Sequence, residues 1–204
     1  MSQIRTASPP VPPDGHHPIL ALPFRYQVRD FTDGDDPLKY EYSVGKYDED
    51  RRGMYTQTLF SHESAQARTV HMGVDIGAPV GTPVFAFKEG LLFDQKYLPT
   101  AGDYGFTMIT QHVWRGAPLW ALYGHLSSRS LNHLKRGDRI ERGHSLGWLG
   151  DHHENGGWPP HLHFQLSLSE PKECDLPGVV MRSDRIAARR LYPDPRLILG
   201  ALYE

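Results

Sequence analysis

WPPHLHFQLSL, residues 158–168, places two histidines one residue apart at the head of an alternating apolar run, directly after a pair of prolines. In a β-strand the side chains at i and i+2 point the same way and lie roughly 6.6 Å apart along the chain, so His161 and His163 share one face. Leu162 and Phe164 then pack on the opposite side. Two imidazoles on one face present two nitrogen donors to a single small object.

Working outward, the chain from His71 to Leu168 breaks into short β-branched or aromatic runs separated by Gly and Pro. They are TPVFAFK (82–88), GLLFDQ (90–95), GFTMITQHV (105–113), LWALYGHL (119–126), DRIERG (138–143), SLGWLG (145–150) and HLHFQLSL (161–168). Helical periodicity is absent there, and many short strands with frequent turn signals predict a mostly β sandwich or barrel. Residues 1 to about 18 are rich in proline and read as a flexible or extended lead-in. ILALPFRYQV (19–28) reads as a strand broken at Pro23, and the acidic, turn-prone stretch that follows reads as an extension packed on the main domain. The expected division is an N-terminal extension over 1–60, a central domain over 61–170 and a C-terminal extension over 171–204. That last piece offers one helix, with Ser183 as N-cap, Asp184 in its first turn and a stop before Pro193.

Composition narrows the chemistry. The 204 residues, 39% of them hydrophobic, suffice for one sizeable core. Lys and Arg total 22 against 24 Asp and Glu, with no basic stretch able to track a phosphate backbone, so nucleic acid is excluded as a partner. Cys174 is the single cysteine, so a metal could be held only by His and carboxylate, and histidine is abundant at 12 copies. No apolar stretch approaches the ~20 residues of a membrane span, and the N-terminus lacks the apolar core of a secretory leader. As written the chain reads as cytoplasmic; a trimmed mature form would read as periplasmic or extracellular.

A second pair precedes the strand motif. In HMGVDIGAPVGTPV, His71 and Asp75 stand four residues apart, and the surrounding Gly, Val, Ile and Pro favour an extended segment that places both on one face. Imidazole nitrogens with one carboxylate oxygen suit zinc, and catalytic zinc sites keep three protein ligands with a fourth position for water. Two ligands from this segment and one from the H-x-H pair would complete the set, leaving the other histidine of that pair facing water or substrate. His125, closing the apolar run of LWALYGHL, draws its weight from this company.

HMGVDIGAPVGTPVFA, YGHLSS, KRGDRIERGHSLGWLG and PPHLHFQL, in this order and at these separations, resemble the lysostaphin-type (LytM-like) zinc metallopeptidases, a family of peptidoglycan endopeptidases. The resemblance covers roughly residues 68–168. It implies a mostly antiparallel β fold of the duplicated hybrid-barrel type with a narrow groove. It also implies zinc held by His71, Asp75 and His163, with His125 and His161 as the remaining active-site histidines. All five are present. The substrate implied is a peptide, in peptidoglycan stems or cross-links. H-E-x-x-H is absent, since HESAQ at 62–66 lacks the second histidine, so histidines must carry the proton traffic. The chain departs from the family at ENGGWPP (154–160), where a Ser/Thr-Gly-rich turn is common, so the groove wall should differ there. With DLPGVV and LYPDPRLILG, that turn is similar to a subgroup fused to aminotransferase and kinase-like modules, for which peptidoglycan need not be the substrate.

Other readings stay beside this one. A non-catalytic cell-wall-binding or regulatory module of the same fold would ordinarily have lost zinc ligands. A histidine phosphotransfer domain would gain nothing from Asp75, and a cupin would need a glutamate that is missing. His152, His153 and Glu154 read as a solvated glycine-rich loop, and His16 and His17 as part of the lead-in. His112, His133 and His144 have no motif partner. Trp158, Tyr104, Trp114 and Tyr123 are candidates for groove lining or for core. Gly137, Asp138 and Gly143 read as turn residues, and Cys174 as inert.

Overall fold

The computed structural model describes residues 2–6, 8–55, 58–60 and 67–204; HESAQ falls outside them. Four strands come from the first fifty residues: β1 (Gln3–Thr6), β2 (Arg25–Val28), β3 (Ser43–Gly45) and β4 (Glu49–Asp50). The central part supplies β5 (Arg68–His71), β6 (Val74–Gly77), β7 (Pro83–Phe85), β8 (Gly90–Leu98), β9 (Gly105–Trp114) and β10 (Ala117–Leu126). It continues with β11 (Arg139–Ile140), β12 (Ser145–Trp148) and β13 (His161–Ser167), and the chain ends with β14 (Val179–Met181), α1 (Arg185–Leu191) and α2 (Arg196–Leu199). Every apolar run picked out in the sequence between 82 and 168 overlaps one of these strands.

The main sheet has nine strands in the order β1-β2-β3-β6-β13-β10-β9-β8-β11. Its neighbours are antiparallel except for the parallel pair β2 and β3. Two smaller sheets, β12-β7 and β14-β5-β4, complete the architecture. The mostly β expectation holds. The proline-rich lead-in nevertheless contains β1, and the acidic stretch contains β3, which pairs with β6 in the middle of the sheet. In these segments tertiary pairing overrides weak local propensity.

The principal core lies on one side of β6, β13 and β10. Val74, Ile76, Leu162, Phe164, Tyr123 and Leu126 are all buried there, each such side chain contributing on the order of 1.5–3 kcal/mol of transfer free energy. His161, His163 and Gln165 stand on the opposite side of β13, where Gln165 reaches the Pro177 carbonyl and His161 and His163 line the groove. The turn residues behave as read: Gly137 and Gly143 have φ of 90° and 79°, and the Asp138 carboxylate accepts the Lys135 N–H at 2.8 Å. The C-terminal helix α1 begins one residue later than Ser183 as N-cap suggested, after a short 3-10 turn over Arg182–Asp184, and α2 follows Pro195. Among the described residues no helix is long and apolar enough to cross a membrane.

Candidate metal centre and groove

Register brings the two motifs together. Asp75 on β6 is the direct cross-strand partner of His163 on β13, and facing pairs in antiparallel strands have Cβ atoms about 4.5–5.5 Å apart. His71 arrives differently from the sequence reading. It does not share a strand face with Asp75: it ends β5, which belongs to the β14-β5-β4 sheet, and the chain crosses at Met72 and Gly73 into β6 of the main sheet. Gly73 makes the crossing possible, because a Cβ there would lie 2.5 Å from Cε1 of His163. The chain wraps the imidazole at a distance that only glycine permits.

Three donor atoms converge. His71 Nε2 lies 3.2 Å and His163 Nδ1 lies 3.0 Å from Asp75 Oδ1, and the two nitrogens are 3.1 Å apart. The far side of each ligand is anchored. His71 Nδ1 is 2.9 Å from the Lys46 carbonyl; a carbonyl only accepts, so Nδ1 carries the proton and Nε2 a lone pair. His163 Nε2 faces Gln165 Oε1 at 3.1 Å, and the Gln165 amide nitrogen donates to the Pro177 carbonyl at 3.4 Å, which fixes Oε1 toward the ring. The N–H of His163 is thereby assigned to Nε2 and the lone pair to Nδ1. Asp75 Oδ2 accepts from Arg51 Nη1 at 2.6 Å. Such partners set tautomer and orientation of metal ligands.

The remaining two histidines stand beside this trio. His161 Nδ1 donates to the Pro159 carbonyl at 2.7 Å, and its Nε2 lies 3.9 Å from Asp75 Oδ1. His125 Nδ1 donates to the Asn155 carbonyl at 2.7 Å, and its ring centroid is 4.1 Å from that of His161. Both therefore keep an unprotonated Nε2. His125 sits at φ 62°, a left-handed conformation costing an L-residue on the order of 1–2 kcal/mol, in the register break between β9 and β10 that follows Tyr123. The bulge turns the side chain out of the ladder, which is why the apolar run ends in histidine.

Electrostatics favour neutral imidazoles and an ionised carboxylate. Burial, reinforced by Arg51 and opposed by Asp75, pushes His71 down to about 4. Burial together with the neighbouring His161 and His163 holds His125 well below the usual histidine range, and burial lowers His161 against the pull of Asp75. Burial alone would raise the Asp75 carboxyl, but its basic neighbours His71 and Arg51 outweigh it and hold it well below the usual range. Unprotonated nitrogens with an ionised oxygen are what a divalent ion requires.

The trio opens into a groove of about 850 Å³. Tyr104 and Trp158 line it, as do Phe31, Arg51, Met54 and Tyr55 from the N-terminal sixty residues. Tyr123 instead lies in the core and Trp114 packs against it. His16 and His17 do not line this groove; His16 is buried edge-on against Phe87, and His17 lines a separate small cavity. His152 and His153 are exposed, whereas Glu154 accepts the Ser128 N–H at 2.8 Å and so pins its loop. Cys174 is buried, its thiol pushed up to about 12 mainly by desolvation. The sequence reading missed Arg51, Glu49, Asn155 and Gln165. Gln165 was legible, since it continues the i, i+2 series begun by His161 and His163; Arg51 and Glu49 reach the site only through long-range pairing, and Asn155 through the turn it caps at residues 155–158.

Residues 69–175, just over half of the chain, match the family model of Peptidase family M23. The chain belongs to peptidase family M23. This M23 chain is 33% identical over 96 residues to the peptidoglycan DD-endopeptidase ShyA of Vibrio cholerae, covering 47% of the chain and 20% of ShyA. It is 34% identical over 96 residues to the glycyl-glycine endopeptidase ALE-1 of Staphylococcus capitis, covering 47% of the chain and 24% of ALE-1. It thus spans under a quarter of the length of these relatives. The catalytic domain of lysostaphin from Staphylococcus simulans superposes with a TM-score of 0.43 at 22% identity, over 62% of the M23 chain and 77% of that domain. Family M23 is zinc-dependent, and the two-imidazole, one-carboxylate donor set fits that ion.

Proposed function

We propose that this chain is a zinc-dependent metalloendopeptidase that hydrolyses peptide bonds in the stems or cross-links of peptidoglycan. One observation carries the reading: three lone pairs on His71, Asp75 and His163 converge within 3.2 Å of one another at the floor of an open groove. Zinc, when bound there, supplies a Lewis acid that polarises a scissile carbonyl and lowers the pKa of a water toward ~7.

The remaining work falls to the chain's own groups. His71, Asp75 and His163 would hold the ion at the floor of the groove. His125 and His161 each offer an unprotonated Nε2. One takes a proton from the attacking water, and the imidazole so protonated then delivers it to the departing amine. Burial of both rings keeps them neutral and ready to accept. The peptide substrate is supported by family membership and by the names of the relatives.

The test is incubation of zinc-loaded protein with purified sacculi, with mass spectrometry of the released muropeptides and a chelator control. Chelator-sensitive release of fragments cut at a peptide bond supports the reading. Cleavage of short peptides but not of sacculi would remove the wall substrate and leave the peptidase. That second outcome gains interest from the groove wall contributed by residues 29–60, which lie outside the family match.

A further inference from the structure

We infer that Arg51 is a positioning residue of the metal centre, fixing Asp75 as a one-oxygen ligand and so keeping a coordination place open toward the groove. This rests on the reading of His71, Asp75 and His163 as metal donors. A carboxylate can bind a divalent ion through one oxygen or both, and a ligand that closes on the ion with both oxygens occupies room that water or substrate would otherwise take. Here the two oxygens of Asp75 are divided. Oδ1 faces the imidazole donors at 3.0 and 3.2 Å, while Oδ2 accepts a charge-assisted hydrogen bond from Arg51 Nη1 at 2.6 Å.

Arg51 is built in rather than resting on a surface. Its side chain is 1% exposed, and a buried guanidinium is tolerated only when its charge and its donors are answered. They are answered from several sides. Nε donates to Glu49 Oε2 at 2.9 Å, Nη1 also reaches the Tyr55 hydroxyl at 3.1 Å, and Nη2 donates to the Lys46 carbonyl at 3.3 Å. The Phe31 ring lies 4.7 Å from the guanidinium carbon. Glu49 is held in turn, its Oε1 accepting the Phe31 N–H at 3.2 Å. A fork engaged at every nitrogen cannot swing away from Asp75.

The backbone is shaped to admit this contact. Gly45 on β3 is the cross-strand partner of Asp75, and a Cβ there would lie 2.8 Å from Arg51 Nη2 and 3.3 Å from the Asp75 Cβ. The Lys46 carbonyl that receives Arg51 Nη2 is the same one that receives His71 Nδ1–H. One peptide group thus orients two of the three ligands, directly or through Arg51. Arg51, Glu49, Tyr55, Lys46, Gly45 and Phe31 all lie outside residues 69–175, so the N-terminal segment completes a metal centre whose candidate ligands lie within the family-matching region.

The experiment uses the full chain and two metal probes. Zinc affinity is measured by competition with a chromophoric chelator, and Co²⁺ is added as a spectroscopic substitute, since its visible bands are intense in four-coordinate sites and weaken as coordination number rises. Wild type, Arg51→Met, Arg51→Lys and Glu49→Gln are compared, with circular dichroism to establish folding. Arg51→Met should weaken zinc binding about 10- to 100-fold and lower the Co²⁺ band intensity. Arg51→Lys, which keeps the charge but replaces the fork by a point donor, should recover part of the affinity but not the spectrum. Glu49→Gln should show the same spectral change in smaller measure, and decides the matter if Arg51→Met does not fold. Wild-type spectra and affinities within twofold in the folded variants would overturn the inference. A wild-type protein that binds neither ion at one per chain would instead overturn the metal-centre reading on which it stands.

Discussion

Gly73 and the His163 imidazole are in such close apposition that a methyl group on Gly73 would lie 2.5 Å from ring carbon Cε1 and 2.6 Å from Nε2. The main chain between two candidate metal donors, His71 and Asp75, therefore forms one wall of the slot that holds the third. Gly73→Ala should push the His163 ring off its donor position, with overpacking on the order of 1–3 kcal/mol shared between fold and site. The expected outcome is a cooperative thermal melt at reduced temperature together with a loss of zinc retained after gel filtration. Full zinc retention would show that the ring can shift without cost.

The two kinds of histidine should separate cleanly. His163→Ala removes a donor from the trio, so metal content should fall to background. His125→Ala leaves the trio intact, so zinc should be retained while turnover falls by about 10²–10⁴, the usual weight of a proton-transfer group. Elemental analysis of both proteins beside a peptide-cleavage assay measures this. Equal zinc loss in the two variants would contradict the division of roles.

Gln165 holds the Nε2 side of His163 at 3.1 Å. Gln165→Met preserves volume but removes the acceptor, freeing the ring to exchange tautomers and rotate. Zinc affinity should fall about 10- to 100-fold, with little change in far-ultraviolet circular dichroism. A chelator competition assay reads the difference.

His112 gives a pH dependence remote from the metal donors. Its Nδ1 donates to the Glu89 carbonyl at 3.0 Å and its Nε2 accepts from the Thr110 hydroxyl at 2.7 Å, so the folded ring is neutral. Burial, opposed by that carbonyl, pushes it down to about 4 from an ordinary value of 6.5. Between those values the unfolded chain binds a proton that the folded chain refuses, so stability falls as pH drops from 6.5 toward 4 and this contribution is constant above 6.5. Urea midpoints of the metal-free protein should decline over that window, and His112→Gln should make the decline shallower, the remaining slope belonging to His71, His125 and His161, which burial lowers as well. Parallel pH profiles for the two proteins would show that His112 is not its source.

The strands from Pro83 onward and the H-x-H face were legible because period-two alternation and glycine punctuation are local signals. The candidate donors His71, Asp75 and His163 drew notice as residue types at suggestive spacings, and the structure brings the three together, but the path between the first two was not legible. Four residues of extended chain looked like one strand, whereas the segment changes sheets at Gly73. Nothing local marks that crossing, since it is set by the imidazole packed against it. Arg51 was illegible for the same reason in stronger form. DEDRRG reads as an exposed charged turn, and only the pairing of β3 with β6 and of β4 with β5 carries it into the interior. Neighbours distant in sequence decide such positions.

The placement of β6 between β3 and β13 has a practical corollary. A protein trimmed to the family-matching residues would expose one whole side of β6 as a bare ledge of unpaired amide and carbonyl groups, directly beside the metal donors. Open ledges of this kind invite extended chains to zip onto them, so the shortened molecule should self-associate through the very strand that bears Asp75. Its failure to cut anything would then say little about the chemistry of the intact protein.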